Sequence, residues 1–338
     1  MNERLYVQTN DADQNEIVAF ARGADGRLQP LGRYATGGLG TGKAHLPSQG
    51  SVVLDDSGRW LLVANAGSDE LTLFEVEPDG LRLADRIASG GSAPTSIAVH
   101  GEHVYALNNG STGISGFVLD GGRLRPLEGS ARQLSSEADP AQIAFSPDGS
   151  TLVVTERGTN RISSFELDER GYADGPTTID SAGATPYGFD FAGGAVVVTE
   201  AFGGEIGRAA ASSNALDAPG RLAAVSASVA DTRSEVCWAA ATRDGRFVYV
   251  TNFGDGTISS YRVESGGRLE LHEAVAAATR LGRPGVRDEA ISRDGRFLYA
   301  LDADAHAVFG WAVGEDGSLT AVGDVDGLPE TVAGLAVA

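Results

Sequence analysis

Short apolar runs, each closed by a small polar cluster, return seven times along the chain. They are LYVQTN (Leu5 to Asn10), LLVANAG (Leu61 to Gly67), VYALNNG (Val104 to Gly110), LVVTERG (Leu152 to Gly158), VVVTEAFG (Val196 to Gly203), VYVTNFG (Val248 to Gly254) and LYALDA (Leu298 to Ala303). From the middle of one copy to the middle of the next is roughly 43–56 residues, the step of a four-stranded propeller blade. Alternating runs follow six of the seven copies: EIVAFA, ELTLFEV, GISGFVL, RISSFEL, TISSYRV and HAVFGWAV. They predict a third strand in six blades. In the fifth copy the alternation breaks at EIGRAAASSNALDAPGR, and Ala201 to Arg221 reads as a long insertion rich in small residues.

Turns rich in Asp and Gly separate the runs: DDSGR (Asp55 to Arg59), SPDGS (Ser146 to Ser150) and RDGR at Arg243 to Arg246 and Arg293 to Arg296. Asp-Gly supplies the positive φ that tight hairpins need. The chain opens on a second-strand run at Arg4 to Asn10 and closes on ETVAGLAVA (Glu330 to Ala338), which resembles the first-strand runs PTSIAV and PAQIAF. The C-terminal run is therefore expected to complete the blade that the N-terminus begins. The prediction is an all-β, seven-bladed propeller with four-stranded antiparallel blades, one domain over residues 1–338. Closure leaves no free sheet edge between the first and last blades.

Composition supports this picture, with 46 Gly in 338 residues and no long stretch of helical period. A formal charge of −20 disfavours nucleic acid and anionic membrane surfaces, both of which need a basic footprint. With one cysteine, Cys237, no intramolecular disulfide forms. No leader-like segment and no apolar run long enough to span a membrane is evident. A cytoplasmic protein is the expectation. The histidines show no metal-ligand spacing, and neither metal nor cofactor is expected.

The phrases SPDG, YVTN and DGRL, set in seven blades, resemble the lactonase-like seven-bladed propeller family, over essentially the whole chain. That family includes the propeller type of 6-phosphogluconolactonase and the fungal-type carboxymuconate cycloisomerase. A narrower resemblance, to a bacterial branch of lactonase-like proteins, rests on SQGS (Ser48 to Ser51), TPYGFDF (Thr185 to Phe191), VVTEAFGG (Val197 to Gly204), CWAAAT (Cys237 to Thr242) and YVTNFGDGTISSY (Tyr249 to Tyr261). The resemblance implies a lactonase or cycloisomerase acting on a small substrate. The chain departs from the phosphogluconolactonase pattern in its fourth unit. Pro140 is kept, but Ala141 stands where the family has histidine, and Glu156-Arg157-Gly158 replaces an acidic-leucine-glycine phrase. The histidine's role is therefore not carried over.

In a propeller, loops entering the inner strand and loops between the second and third strands open on one face, where a rigid scaffold holds binding groups. That rule selects Gln49, Gln142, Tyr187, Glu235, Trp238, Asn252, Asp288 and Glu289 as substrate-binding candidates, with His45 in the insertion GGLGTGKAHLPSQGS. Glu156 and Glu200 occupy equivalent positions where most blades have Asn, and are the expected acid and base. Arg157 and Arg287 are the expected clamps for a substrate carboxylate or an oxyanion. The expected substrate is a small cyclic metabolite bearing a carboxylate. The same residues serve equally well as ion pairs knitting neighbouring blades. A non-catalytic binding propeller, or an isomerase or cyclase of a specialised pathway, stays open beside the lactonase reading.

Overall fold

The computed structural model describes residues 3–44 and 46–338, and their sheets form a closed ring of seven blades. Blade 1 joins Ala333–Val337 to Arg4–Gln8, Glu16–Arg22 and Leu28–Ala35. Blade 2 is Val52–Leu54, Trp60–Asn65, Glu70–Glu77 and Gly80–Ala88. Blade 3 is Pro94–His100, His103–Asn108, Gly113–Asp120 and Arg123–Pro126, with Arg132–Gln133 also pairing on the third strand. Blade 4 is Pro140–Phe145, Thr151–Glu156, Arg161–Leu167 and Ala173–Asp180. Blade 5 is Pro186–Ala192, Ala195–Glu200, Ala210–Ala218 and Arg221–Ala230. Blade 6 is Val236–Ala241, Phe247–Asn252, Thr257–Val263 and Leu269–Ala278. Blade 7 is Val286–Ile291, Phe297–Asp302, Ala307–Val313 and Leu319–Val325. Every pairing within the blades is antiparallel.

The ring closes as the two ends of the sequence predict. Leu5 pairs with Val337, Tyr6 with Ala336 and Val7 with Leu335, and a bulge follows before Gln8 meets Ala333. Blade 5 corrects the sequence reading. Residues 201–221 are not an insertion: they hold a short 3-10 turn at Phe202–Gly204 and then a regular third strand, Ala210–Ala218, paired along both edges. Alanine and serine carry no apolar alternation, so the pattern was blind to it. Ala209, Ala211, Ser212 and Ser213 are fully buried there, because small side chains fit the close approach of blades.

Apolar faces of neighbouring blades make the core. Second-strand tyrosines knit blades together by reaching into the next blade's outer turn. Tyr105 donates to the Gly171 carbonyl at 2.7 Å, Tyr249 to Gly317 at 2.8 Å and Tyr299 to Gly26 at 2.6 Å. In these three blades the Tyr of the VYVTN-like phrase is an inter-blade latch: a buried phenol needs a partner, and the next turn supplies a carbonyl. Gly26 has φ +84° and lies against the Phe297 ring, which a Cβ would meet at 2.4 Å, so this turn admits only glycine. Among the described residues no helix is long and apolar enough to cross a membrane.

Candidate functional site

The inner strands surround a central channel whose two ends differ. At the end where the strands begin, the segment Ser48–Gly50 crosses the channel. The Gln49 amide N–H donates to the Ala141 carbonyl at 3.2 Å. Its side chain reaches blade 6, donating to the Ala239 carbonyl at 2.8 Å and accepting from the Ala239 N–H at 3.0 Å. The Trp238 indole donates to the Ser48 carbonyl at 3.1 Å. Trp238 packs on Tyr187 with ring centroids 5.5 Å apart, and Ala141, Cys237 and Phe253 complete the cluster. This cluster floors the mouth. Gly188 makes room for it, since a Cβ there would lie 2.3 Å from the Gln49 Oε1 and 2.6 Å from the Cys237 carbonyl.

Two arginines stand over this floor, each stacked on an aromatic ring. The Arg157 guanidinium lies 4.8 Å from the Tyr187 ring centre and is held by Asp139, with Nη2 to Oδ1 at 2.7 Å and Nε to the carbonyl at 3.2 Å. The Arg287 guanidinium lies 5.1 Å from the Phe253 ring centre. Its Nη1 donates to the Ala44 carbonyl, and Asp304 Oδ1 is 3.9 Å from Nη2. Its Nε is buried without a hydrogen-bond partner. Cys237 sits within reach of both charges. Burial and then Glu235 push its thiol up, while Arg157 and Arg287 pull the other way. The thiol donates to the Glu235 carbonyl at 3.3 Å and is no nucleophile as placed. Glu235 is half-buried at the same rim, on left-handed backbone at φ 56°.

Of the residues selected from sequence, the structure brings together Arg157, Tyr187, Glu235, Trp238 and Arg287. Gln49 belongs to the floor beneath them, and the rest lie elsewhere. Gln142, like Gln49, has its amide taken up by backbone: it donates to the Phe189 carbonyl at 3.0 Å and accepts from the Phe189 N–H at 2.7 Å, completing a strand edge. Asn252 is buried, donating to Ser259 Oγ at 2.8 Å and Thr257 Oγ1 at 3.2 Å. Asn65 and Asn108 make the same bond to a third-strand hydroxyl, at 2.9 and 2.8 Å. Glu156 is fully buried in this position of blade 4, accepting from Ser163 Oγ at 2.6 Å and Thr159 Oγ1 at 2.7 Å. Glu200, also fully buried, accepts from the Gly183 N–H at 2.8 Å, Ser181 Oγ at 3.3 Å and Ser228 Oγ. Glu156 is occupied within blade 4, and Glu200 by blade 5 and the connection that leads into it, for the reason asparagine serves elsewhere: the end of the second strand must bind a polar group beside it. His45 lies outside the described residues.

Asp288 and Glu289 lie below the floor, in the channel itself, where Asp190 joins them. The cavity measures about 390 Å³. Its lining runs from Gln49 and Gln142 to Leu54, Val99, Phe145, Ile291 and Val337 at the far ends of inner strands, so it opens on the opposite face. Asp190 accepts from the Ala241 N–H at 2.8 Å and the Phe191 N–H at 2.7 Å, yet burial pushes its carboxyl up to about 6. Asp288 accepts from the Gly334 N–H at 2.8 Å, and burial pushes it up to about 7 against the pull of that bond and of Arg287. Glu289 is pushed well above the carboxylate range by burial, then by Asp190 and Asp288. The Thr251 amide favours its charged form without completing a hydrogen bond, and neither carboxyl oxygen has a partner. Sequence reasoning missed Phe253 and Asp190, although both stand in the phrases YVTNFGDG and TPYGFDF.

Solved structures share this ring from end to end. A protein from Lactobacillus plantarum superposes with a TM-score of 0.79 at 16% identity, covering 100% of both chains. A candidate 6-phosphogluconolactonase from Bacteroides uniformis gives 0.77 at 20% identity, covering 98% of this chain and 99% of that one. The periplasmic gluconolactonase PpgL of Pseudomonas aeruginosa gives 0.74 at 18% identity, covering 98% and 99%. At such identities the likeness is one of fold. No curated protein matches the chain in sequence. The family model described as "Lactonase, 7-bladed beta-propeller" matches residues 14–133, 123–206 and 211–334, and the chain belongs to that family.

Proposed function

We propose that the protein is a lactonase-like hydrolase that takes a small cyclic ester bearing a carboxylate at the mouth floored by Tyr187 and Trp238. The observation that carries this reading is the pair of arginines, each stacked on an aromatic ring and both within reach of Cys237. A partly desolvated guanidinium over an aromatic face is a strong, oriented carboxylate receptor. The unpartnered Nε of Arg287 leaves one donor for a ligand. One arginine holds the substrate carboxylate, and the other stabilises the oxyanion that forms when water adds to the lactone carbonyl. Glu235 is the acid/base group in this reading, because Glu156 is engaged by the Ser163 and Thr159 hydroxyls and Glu200 by the Gly183 N–H and the Ser181 and Ser228 hydroxyls. It takes a proton from the attacking water and returns it to the ring oxygen as the C–O bond breaks. No cofactor enters this scheme. The lone cysteine suits a reducing compartment, and we place the activity in the cytoplasm.

A binding-only propeller is the second reading. It is favoured by the internal partners that both arginines already have, Asp139 for Arg157 and the Ala44 carbonyl for Arg287. The deciding experiment is pH-stat hydrolysis of a panel of sugar-acid and organic-acid lactones by wild type, Glu235→Gln and Arg287→Lys. The enzyme reading expects turnover by wild type, a kcat loss of about 10²–10⁴-fold in Glu235→Gln and a raised KM in Arg287→Lys. Wild type that binds a lactone acid without turning over any lactone establishes the binding reading instead.

A further inference from the structure

A hydroxyl recurs where one blade hands the chain to the next. The residue after the outer strand donates its N–H to the carbonyl just before the third strand of its own blade: Thr36 to Asn15 at 2.9 Å, Ser181 to Asn160 at 2.9 Å, Thr279 to Gly256 at 3.0 Å and Asp231 to Ala209 at 3.0 Å. In three of these four places the side chain then serves the polar residue that ends the second strand of the following blade. Thr36 Oγ1 donates to Asn65 Oδ1 at 2.8 Å, Ser181 Oγ to Glu200 Oε1 at 3.3 Å and Thr279 Oγ1 to Asp302 Oδ2 at 2.7 Å. In the fourth place the residue is Asp231, and the second strand that follows ends on Asn252.

The bonds about Asn252 fix which way its amide points. Ser259 Oγ gives its proton to the Ala274 carbonyl at 2.9 Å, and Thr257 Oγ1 gives its own to Asp255 Oδ1 at 2.6 Å. Both hydroxyls therefore meet Asn252 as acceptors, and Nδ2 serves them at 2.8 and 3.2 Å. Asn252 Oδ1 is left buried without a partner. Asp231 is fully buried too. Its Oδ1 accepts the Arg233 N–H at 2.8 Å, and its Oδ2 is buried without a partner. Two orphaned acceptors stand where other blades have a donor and its acceptor, and a single proton satisfies both.

We propose that Asp231 is carried as a neutral acid that donates to Asn252 Oδ1, and that its ionisation loosens the segment bearing Glu235 to the mouth. That segment is short and bonded along its length. The Arg233 carbonyl accepts from the Ala209 N–H at 3.0 Å, Ser234 from Gly254 at 3.1 Å and Glu235 from Phe253 at 2.9 Å. Neutral Asp231 ties its start to blade 6. The groups about the carboxyl are Arg233 on its own segment, Asp255 and Tyr261 of blade 6, and Glu200 of blade 5, which acts on the same phenol. Burial pushes Asp231 up to about 6 and Asp255 adds to the rise, against the Arg233 N–H, the Ser259 hydroxyl and the Arg233 charge. The folded protein thus holds a proton that the unfolded chain releases near the ordinary value of 3.8. The stability this gives is present below about pH 4 and lost as pH rises through the folded value. None of this needs Glu235 to be catalytic, so it stands or falls apart from the lactonase reading.

Carboxyl 13C NMR of aspartate-labelled protein, with Asp231→Asn identifying the signal, reads the titration directly. The expected midpoint is about 6 or above. Asp231→Asn and Asp231→Thr keep a donor for Asn252 at every pH, so their urea midpoints should gain on wild type from pH 5 to pH 8. Over the same range the Phe253 and Gly254 amides of wild type should lose about tenfold in protection against hydrogen exchange, corrected for the intrinsic rate, and keep it in both variants. A midpoint at or below 3.8, urea midpoints that run parallel to wild type, or equal loss of amide protection in all three proteins would each overturn the proposal.

Discussion

Replacing Asp288 with asparagine changes how stability depends on pH. Asp288 spans the seam between the last blade and the first, accepting the Gly334 N–H at 2.8 Å, and asparagine keeps that acceptor through its Oδ1. Its carboxyl stands at about 7 in the folded protein against an ordinary value of 3.8, mainly because burial penalises the anion. Between those values the native state holds a proton that the unfolded chain has released. Stability is therefore fully present below about pH 4 and is lost as pH rises through 7, by about 1.4 kcal/mol per unit. The whole window is worth about 4 kcal/mol, and water entering the lumen to meet the charge would lower the measured figure to about 2–4 kcal/mol. The charges facing the group act with burial or fall short of offsetting it. Glu289 and Asp190 lie on the acidic side of the lumen, while Arg287 on the same strand pulls the other way. Asp190, raised to about 6, steepens the same decline. The expected result is that the urea midpoint of Asp288→Asn equals that of wild type at or below about pH 4, pulls ahead of it as pH rises, and exceeds it most at pH 8, with an unchanged m-value. A variant whose midpoint tracks wild type in parallel from pH 5 to pH 8 would refute the reasoning, since the carboxyl would then ionise as it does in water.

Three further outcomes follow from the packing. Gly188→Ala sets a methyl 2.3 Å from Gln49 Oε1 and 2.9 Å from the Trp238 Cα, so it should cost about 1–3 kcal/mol and alter the tryptophan emission, checked by urea unfolding followed by fluorescence. Glu156→Ala leaves the Ser163 and Thr159 hydroxyls without their acceptor and should cost about 1–3 kcal/mol in the same assay. Turnover per folded molecule should be unchanged, and a collapse of kcat would return the acid/base role to that glutamate. Removal of Ala333–Ala338 strips the inner strand from blade 1 and exposes the edge of Arg4–Gln8, so size-exclusion chromatography should find aggregate in place of monodisperse protein.

The fold was legible because a blade is a local object. Its strands are consecutive, its turns are written in Asp-Gly, and its second strand repeats an aromatic phrase whose tyrosine reaches only the next blade. Even ring closure lay in the likeness of Glu330 to Ala338 to other first strands. Blade 5 escaped because Ala210–Ala218 buries alanine and serine, and a hydrophobic pattern does not register them. The site was less legible for a different reason. Position along a blade tells which ring of the channel a residue belongs to, but not what it meets. Gln49 bonds Ala239, 190 residues away, and Gln142 bonds the adjoining inner strand, so both polar groups that looked free for a substrate are spent on backbone. Glu156 and Glu200 looked unusual beside asparagine, yet each takes up polar groups at the end of its second strand, much as asparagine does in other blades.

Arg287, Asp288 and Glu289 are adjacent in sequence, and read as one solvated loop they would neutralise one another. On an inner strand they separate. Arg287 stacks on Phe253 at the mouth, while Asp288 and Glu289 line the lumen below Gln49. The uncharged floor of Gln49, Tyr187 and Trp238 separates the arginines of the mouth from the carboxyls of the lumen in one channel. Without it, water and mobile ions would screen the arginines within about a Debye length of some 8 Å. Gly188, which makes room for that floor, therefore matters to the mouth above it. Disturbing it should weaken recognition of a carboxylate at the mouth, read as a raised KM for carboxylate-bearing lactones in Gly188→Ala relative to wild type.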